Sequence, residues 1–397
     1  MLLIRTLTTA CAILVHSVFV LAGSRAWETQ LTHRLAAARH VFSVDTAGHA
    51  VADATAEAHL TSRYLTIVPQ SGVSREKVWP DSTISFCFDT QPSRDKLLPR
   101  LKEAMELWRS NGDGLPRETY KMVEVFPPGA SDCFNNPQRD KVLVISYNTN
   151  GRLSTTVGLP SLDGTDTSYK GPTMTLSDKP GVGLLDIVAN YAHEIGHSWG
   201  LYHEHQNPHF WEENYNRNFP GFVFGAQFNC RALADYDRVM NWVRTNKPEL
   251  VNDICTLRGA ASSVNFSAAE WLPITTATRS HATRLGQGTY ADVDWDSIML
   301  YPSGAGGSGT ASGPDTPGGL VRDNRANVLL RNDGIKLKIN LVPSPLDIQG
   351  IRMLYETGLD GTVFPGMPVL PNAPQSQFYA RFREITRRSC PGLGEPF

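Results

Sequence analysis

Within the run His193-Glu194-Ile195-Gly196-His197-Ser198-Trp199-Gly200-Leu201-Tyr202-His203-Glu204, three histidines and a carboxylate stand at a spacing that can build a metal centre. On a helix, His193 and His197 fall on one face, one turn apart. Gly200 can take a positive φ and end that helix, so the chain reverses and His203 returns as a third ligand. Imidazole nitrogens suit zinc, and three protein ligands leave a coordination position open, as in catalytic rather than structural zinc sites. One Zn2+ per chain is expected. Glu194, beside the first ligand, can take a proton from water as a general base. Five fixed positions arise by chance on the order of once in tens of thousands of chains of this length. That separates the run from unrelated histidines on a helix.

A second segment, Val293-Asp294-Trp295-Asp296-Ser297-Ile298-Met299-Leu300-Tyr301-Pro302, lies downstream. With it the chain resembles the metzincins and, within them, the astacin family of zinc endopeptidases. In that family a tight turn carrying a Met runs beneath the zinc, and a Tyr two residues later faces it. Met299 and Tyr301 stand at those places. Glu204-His205-Gln206-Asn207-Pro208 continues the zinc motif as astacins do. Val78-Trp79-Pro80-Asp81-Ser82-Thr83-Ile84 resembles the start of their mature catalytic domain, and 343–355 their last helix. Leu300 replaces a His that many astacins carry before the Tyr, and the 209–290 segment has no close counterpart.

The resemblance implies an α+β fold. Its catalytic domain would be metzincin-like with two subdomains and a twisted, mostly parallel five-stranded sheet with an antiparallel edge strand. A zinc-binding active-site helix and a Met-turn would complete it. It also implies a secreted metalloendopeptidase made as a zymogen and acting on protein or peptide substrates. Tyr301 would ligate zinc at rest and swing out to hydrogen-bond the oxyanion. Met299 would be the structural floor, and Glu204 would reach the new N-terminus through water once the propeptide leaves. The rival reading is a secreted zinc-containing binding protein or pseudoenzyme, which need keep neither Glu194 nor Tyr301. His205 and His209 read as surface residues.

Composition bounds these readings. A chain of 397 residues with 41% hydrophobic content can bury one large catalytic unit. A formal net charge of -2 and the lack of a basic helix suggest neither nucleic acid nor a membrane surface as partner; a monomer is expected. Residues 1–22 read as a signal peptide, with Arg5 before an apolar stretch too short to span. Residues 23–75 read as a propeptide, with Arg63 and Arg75 as processing candidates, 76–358 as the peptidase domain and 359–397 as a tail. Beyond Cys11 in the signal, five cysteines remain. In an oxidising compartment the expected pairs are Cys87 with Cys133 and Cys230 with Cys255, leaving Cys390.

The elements that must position the site are partly legible. Residues 82–89 alternate as a strand, and 122–126 and 141–146 read as two further strands. A helix near 95–110 turns Leu97, Leu98, Leu101, Ala104, Met105 and Trp108 inward, with Asp95 as N-cap and Pro99 in the first turn. The zinc helix is expected to begin near Gly183. Strand 173–177 takes the family's antiparallel edge position, where an extended substrate would add.

Overall fold

The computed structural model describes residues 28–30, 65–67, 76–110, 114–130, 133–134, 139–160, 171–217, 221–274, 279–280, 288–312 and 322–356. The signal segment, most of the 23–75 segment and the tail with Cys390 lie outside the described residues.

The labelled elements are β1 (Glu28–Gln30), β2 (Leu65–Thr66), β3 (Thr83–Phe88), α1 (Gln91–Ser110), β4 (Lys121–Glu124), β5 (Leu143–Tyr147), β6 (Ser154–Thr156), β7 (Thr173–Leu176), α2 (Ile187–Trp199), α3 (Tyr236–Asn246), α4 (Arg258–Ser263), β8 (Arg279–Ser280) and α5 (Pro345–Glu356). The main sheet runs β1-β6-β7-β5-β3-β4. Strands β4, β3, β5 and β7 are mutually parallel, and β6 runs antiparallel to β7. The fold is thus α+β, with the expected five-stranded mixed sheet and its antiparallel edge. A sixth strand, β1, adds in parallel to the outer side of β6.

The edge strand differs from expectation. Residues 173–176 pair on both sides, with β5 and with β6. The antiparallel strand is Ser154-Thr155-Thr156. Its polar, hydroxyl-bearing run shows no apolar alternation, yet all three residues are buried. Strand assignment by periodicity needs one wet face, and this strand has none.

Helix boundaries also shift. Helix α1 starts at Gln91, because the Thr90 hydroxyl accepts from the Ser93 amide at 3.2 Å. Pro99 therefore sits inside the helix and leaves the Asp95 carbonyl without its usual amide donor. Helix α2 starts four residues beyond the Gly183 expectation. Asp186 caps it by accepting from the Ala189 amide at 2.8 Å, and Leu185 just before it has φ 61°.

Helix α2 is buried throughout from Ala189 to Trp199. Two tryptophans pin it: Trp108 of α1 donates to the Ala192 carbonyl at 2.9 Å, and Trp79 donates to the Ser198 carbonyl at 2.8 Å. Each indole covers apolar helix surface while its N–H meets a buried acceptor. Gly196 lets a neighbour come close: a Cβ there would lie 2.6 Å from the Met299 sulfur and 3.0 Å from the Trp108 ring. Both expected disulfides are formed, Cys87–Cys133 and Cys230–Cys255. The second closes a 25-residue separation in the long segment between the two motifs. Among the described residues, no helix is long and apolar enough to cross a membrane.

Candidate metal centre

His193 and His197 leave α2 on one face, as the four-residue spacing requires. The helix ends at Gly200, whose φ of 105° is open to glycine and costly for other residues. Leu201 and Tyr202 then turn the chain so that His203 comes back to the same point. The His197 Nε2 lies 3.1 Å from the His193 Nε2 and 3.0 Å from the His203 Nε2. Among the described residues this is the one group of three potential ligands gathered tightly enough to hold a metal ion.

Each ring is aimed by its other nitrogen. The His193 Nδ1 meets the Ile298 carbonyl at 2.8 Å, the His197 Nδ1 meets the Leu201 carbonyl at 2.8 Å, and the His203 Nδ1 meets Gln206 Oε1 at 2.9 Å. These partners are acceptors, so the proton of each neutral ring belongs on Nδ1 and the Nε2 lone pairs face one another. Gln206 is itself fixed, since its amide nitrogen donates to the carbonyls of Ala269 and Leu272. Three converging lone pairs repel unless a cation lies between them. Tetrahedral ligands 2.0–2.1 Å from zinc stand about 3.3 Å apart, close to the separations here. The donor set and its spacing fit zinc.

Electrostatics agree with neutral ligands. Burial lowers the His193 pKa to about 4 and holds His197 and His203 well below the ordinary imidazole value. A metal ligand must be unprotonated, so little proton competition remains near neutrality. Burial pushes the Glu194 carboxyl up to about 8; the Thr155 hydroxyl opposes that shift and the Glu270 charge adds to it. Glu194 is 1% exposed, and its Oε2 has no hydrogen-bond partner among the described residues. The Thr155 hydroxyl stands near it on the edge strand β6 without meeting hydrogen-bond geometry.

The Met-turn lies beneath. Ile298 supplies the carbonyl that aims His193, and the Met299 carbonyl accepts from the Glu204 amide at 3.1 Å, tying the turn to the segment after His203. Tyr301 packs its ring 4.1 Å from the His203 ring and 5.7 Å from the His193 ring, between centroids. Glu204 is 2% exposed and its Oε1 accepts from the Asp294 amide.

Several neighbours escaped sequence reading. His205 is buried rather than a surface residue. Its Nε2 meets the Glu270 carbonyl at 2.9 Å, and its ring stacks on His203 and packs against Tyr301 and Trp271. Burial lowers its pKa to about 3, so it sits there neutral. His209 is half-buried. Arg258 of α4 donates to the Ala269 carbonyl, and its buried charge is felt by Glu270, Tyr202 and Tyr301. Asp347 of α5 accepts from the Ile298 amide at 2.9 Å and from the Ser297 hydroxyl at 2.6 Å, so the last helix braces the Met-turn.

Comparison with protein-family models finds no match, and comparison with curated proteins finds none either. Among solved structures, the chain is similar to high choriolytic enzyme 1, a hatching-enzyme zinc protease from Oryzias latipes (medaka fish). The identity is 12% and the TM-score 0.38, over 73% of this chain and 98% of that one. It is also similar to myroilysin, at 16% identity and TM-score 0.31, over 77% of this chain and 96% of that one. The functional reading rests on this chain's own residues.

Proposed function

We propose that the chain is a zinc-dependent endopeptidase of astacin type, secreted as a zymogen, that hydrolyses internal bonds of proteins or peptides. The observation that carries this reading is the convergence of three imidazole nitrogens, 3.0 and 3.1 Å apart, beside the buried carboxyl of Glu194. When bound, zinc supplies a Lewis acid that acidifies water and polarises the scissile carbonyl. His193, His197 and His203 hold it. Glu194 takes the proton of the attacking water and passes it to the leaving amine. Tyr301 donates its hydroxyl hydrogen to the developing oxyanion, and Met299 provides an apolar floor. An extended substrate adds to β6, whose residues flank the metal centre.

The zymogen reading is supported by β1. In the full chain, residues 28–30 pair along the free side of β6, the edge on which a substrate would add. Cleavage within the 23–75 segment would open that edge, and Glu204 would then meet the new N-terminus through water. The signal peptide at 1–22, the tail at 359–397 and a monomeric state complete the proposal.

The test is hydrolysis of denatured casein by the purified processed chain before and after metal chelation. Activity lost on chelation and restored by zinc supports the reading. Zinc bound with no cleavage, after the N-terminal segment is verifiably gone, would favour a zinc-containing binding protein instead.

A further inference from the structure

The short segment Leu65–Ile67 falls inside the stretch whose composition reads as propeptide, yet it is built into the metal centre's support. Leu65, Thr66 and Ile67 are each 1% exposed. Strand β2 lies between β8, with which it pairs antiparallel, and Leu201, which bridges Thr66 in antiparallel register. The Ile67 amide donates to the Gly200 carbonyl at 2.9 Å, and the Leu65 carbonyl accepts from the Tyr202 amide at 2.8 Å. Leu65 and Ile67 also join Val157, Tyr202, Ile274 and Leu354 in a second apolar cluster.

The residues so clasped are the whole connection between the last turn of α2 and His203. The Leu201 carbonyl between them aims the His197 ring. Ile67 packs directly on the turn, its side chain 3.0 Å from where a Cβ at Gly200 would stand. A three-residue turn led by glycine has little stiffness of its own. Its path must be set by what pairs with it, and Leu65–Ile67 supplies both backbone partners on that side.

We propose that Leu65–Ile67 is a positioning strap for the metal centre and belongs to the working protein, so that maturation spares it. This rests on the metal-centre reading above. The strap fixes the Leu201 carbonyl that orients His197 and the approach of His203. Groups that orient metal ligands are commonly worth 10–100-fold in metal affinity. A cut after Arg63 would leave the strap attached to the catalytic unit, whereas a cut after Arg75 would detach it.

The test uses the full chain with Ile67→Pro, which deletes the amide donor to Gly200, and Ile67→Ala, which keeps the donor and trims the packing. Ile274→Ala serves as a control, since it lies in the same apolar cluster without a described bond to the turn. Zinc affinity is read by chelator competition, and ligand geometry by the visible spectrum of the cobalt-substituted protein. The strap predicts a loss of tenfold or more in zinc affinity and an altered cobalt spectrum for Ile67→Pro. A smaller loss is expected for Ile67→Ala, and wild-type values for Ile274→Ala despite a lower melting temperature. If Ile67→Pro does not fold, the comparison of Ile67→Ala with Ile274→Ala carries the same test. Variants at Ile67 that melt earlier but hold zinc like the control would overturn the proposal. So would a processed chain beginning at Glu76 with undiminished affinity. A wild-type chain that binds no zinc at all would instead remove the metal-centre reading beneath it.

Discussion

Tyr301 packs against two of the three histidines and is 2% exposed, so it is held by rings on several sides rather than by solvent. If its hydroxyl stabilises the oxyanion, Tyr301→Phe keeps the packing and removes one donor. Turnover of casein should fall about 10²–10³-fold with zinc content unchanged; full turnover would reduce Tyr301 to a packing residue. At this scale the three-histidine cluster was legible, because a helix converts the His193–His197 spacing directly into geometry. His205 was not. Its burial depends on Glu270 and Trp271, more than sixty residues away in the chain, and no local pattern carries that information. Gly196 was legible only as a spacer, although its missing side chain is what admits the Met299 sulfur against α2.

Two junctions between elements set the site. The first is the end of α2. Gly200→Ala would force a Cβ onto a φ of 105° and against Leu354 and Ile67, at 2.9 and 3.0 Å. The left-handed conformation alone costs about 1–2 kcal/mol. The variant should unfold earlier in urea by at least that amount and hold zinc less tightly. The second junction is the start of α5, where Ser344 and Asp347 form reciprocal cap bonds of 2.9 Å. The same Asp347 carboxylate holds Ile298 and Ser297 of the Met-turn, with Asp294 nearby bonded to the Ser344 hydroxyl. Burial first, and the Asp294 charge second, raise the Asp347 pKa to about 7.

The sign follows from that direction. The folded state holds this proton more tightly than the unfolded chain, so the stability it contributes is full below about pH 4. That contribution is lost as pH rises toward 7. Asp347→Asn can still accept from both backbone amides and offer its NH2 to the Ser297 hydroxyl. Its melting temperature should lose this group's decline between pH 4 and 7. Asp347→Ala strands three buried donors and should be destabilised at every pH. A wild-type pH profile unchanged in Asp347→Asn would contradict the assignment. The sequence marked α5 through its resemblance to an astacin helix. It could not reveal that the helix cap and the Met-turn share one carboxylate, because 297–298 and 347 are joined only by the fold. The misplaced edge strand has a similar cause: β6 is polar and buried, so neither periodicity nor hydropathy marks it.

Over the whole molecule, the sheet, the tryptophan-pinned α2 and the Met-turn brace a centre assembled from residues 193 to 301, while residues 65–67 reach its support and residues 28–30 reach the sheet beside it from far upstream. The parallel sheet and both disulfides were legible in outline. The upstream contributions were not, since a segment of low periodicity gives no sign that three of its residues are core. The central claim is that this centre performs metal-assisted peptide hydrolysis with Glu194 as the base. The most direct measurement compares the processed wild-type chain with Glu194→Ala on casein at equal zinc content. A general base contributes about 10²–10⁴-fold, and the account predicts a loss of at least that size with zinc still bound one per chain. Equal cleavage by both forms would contradict it.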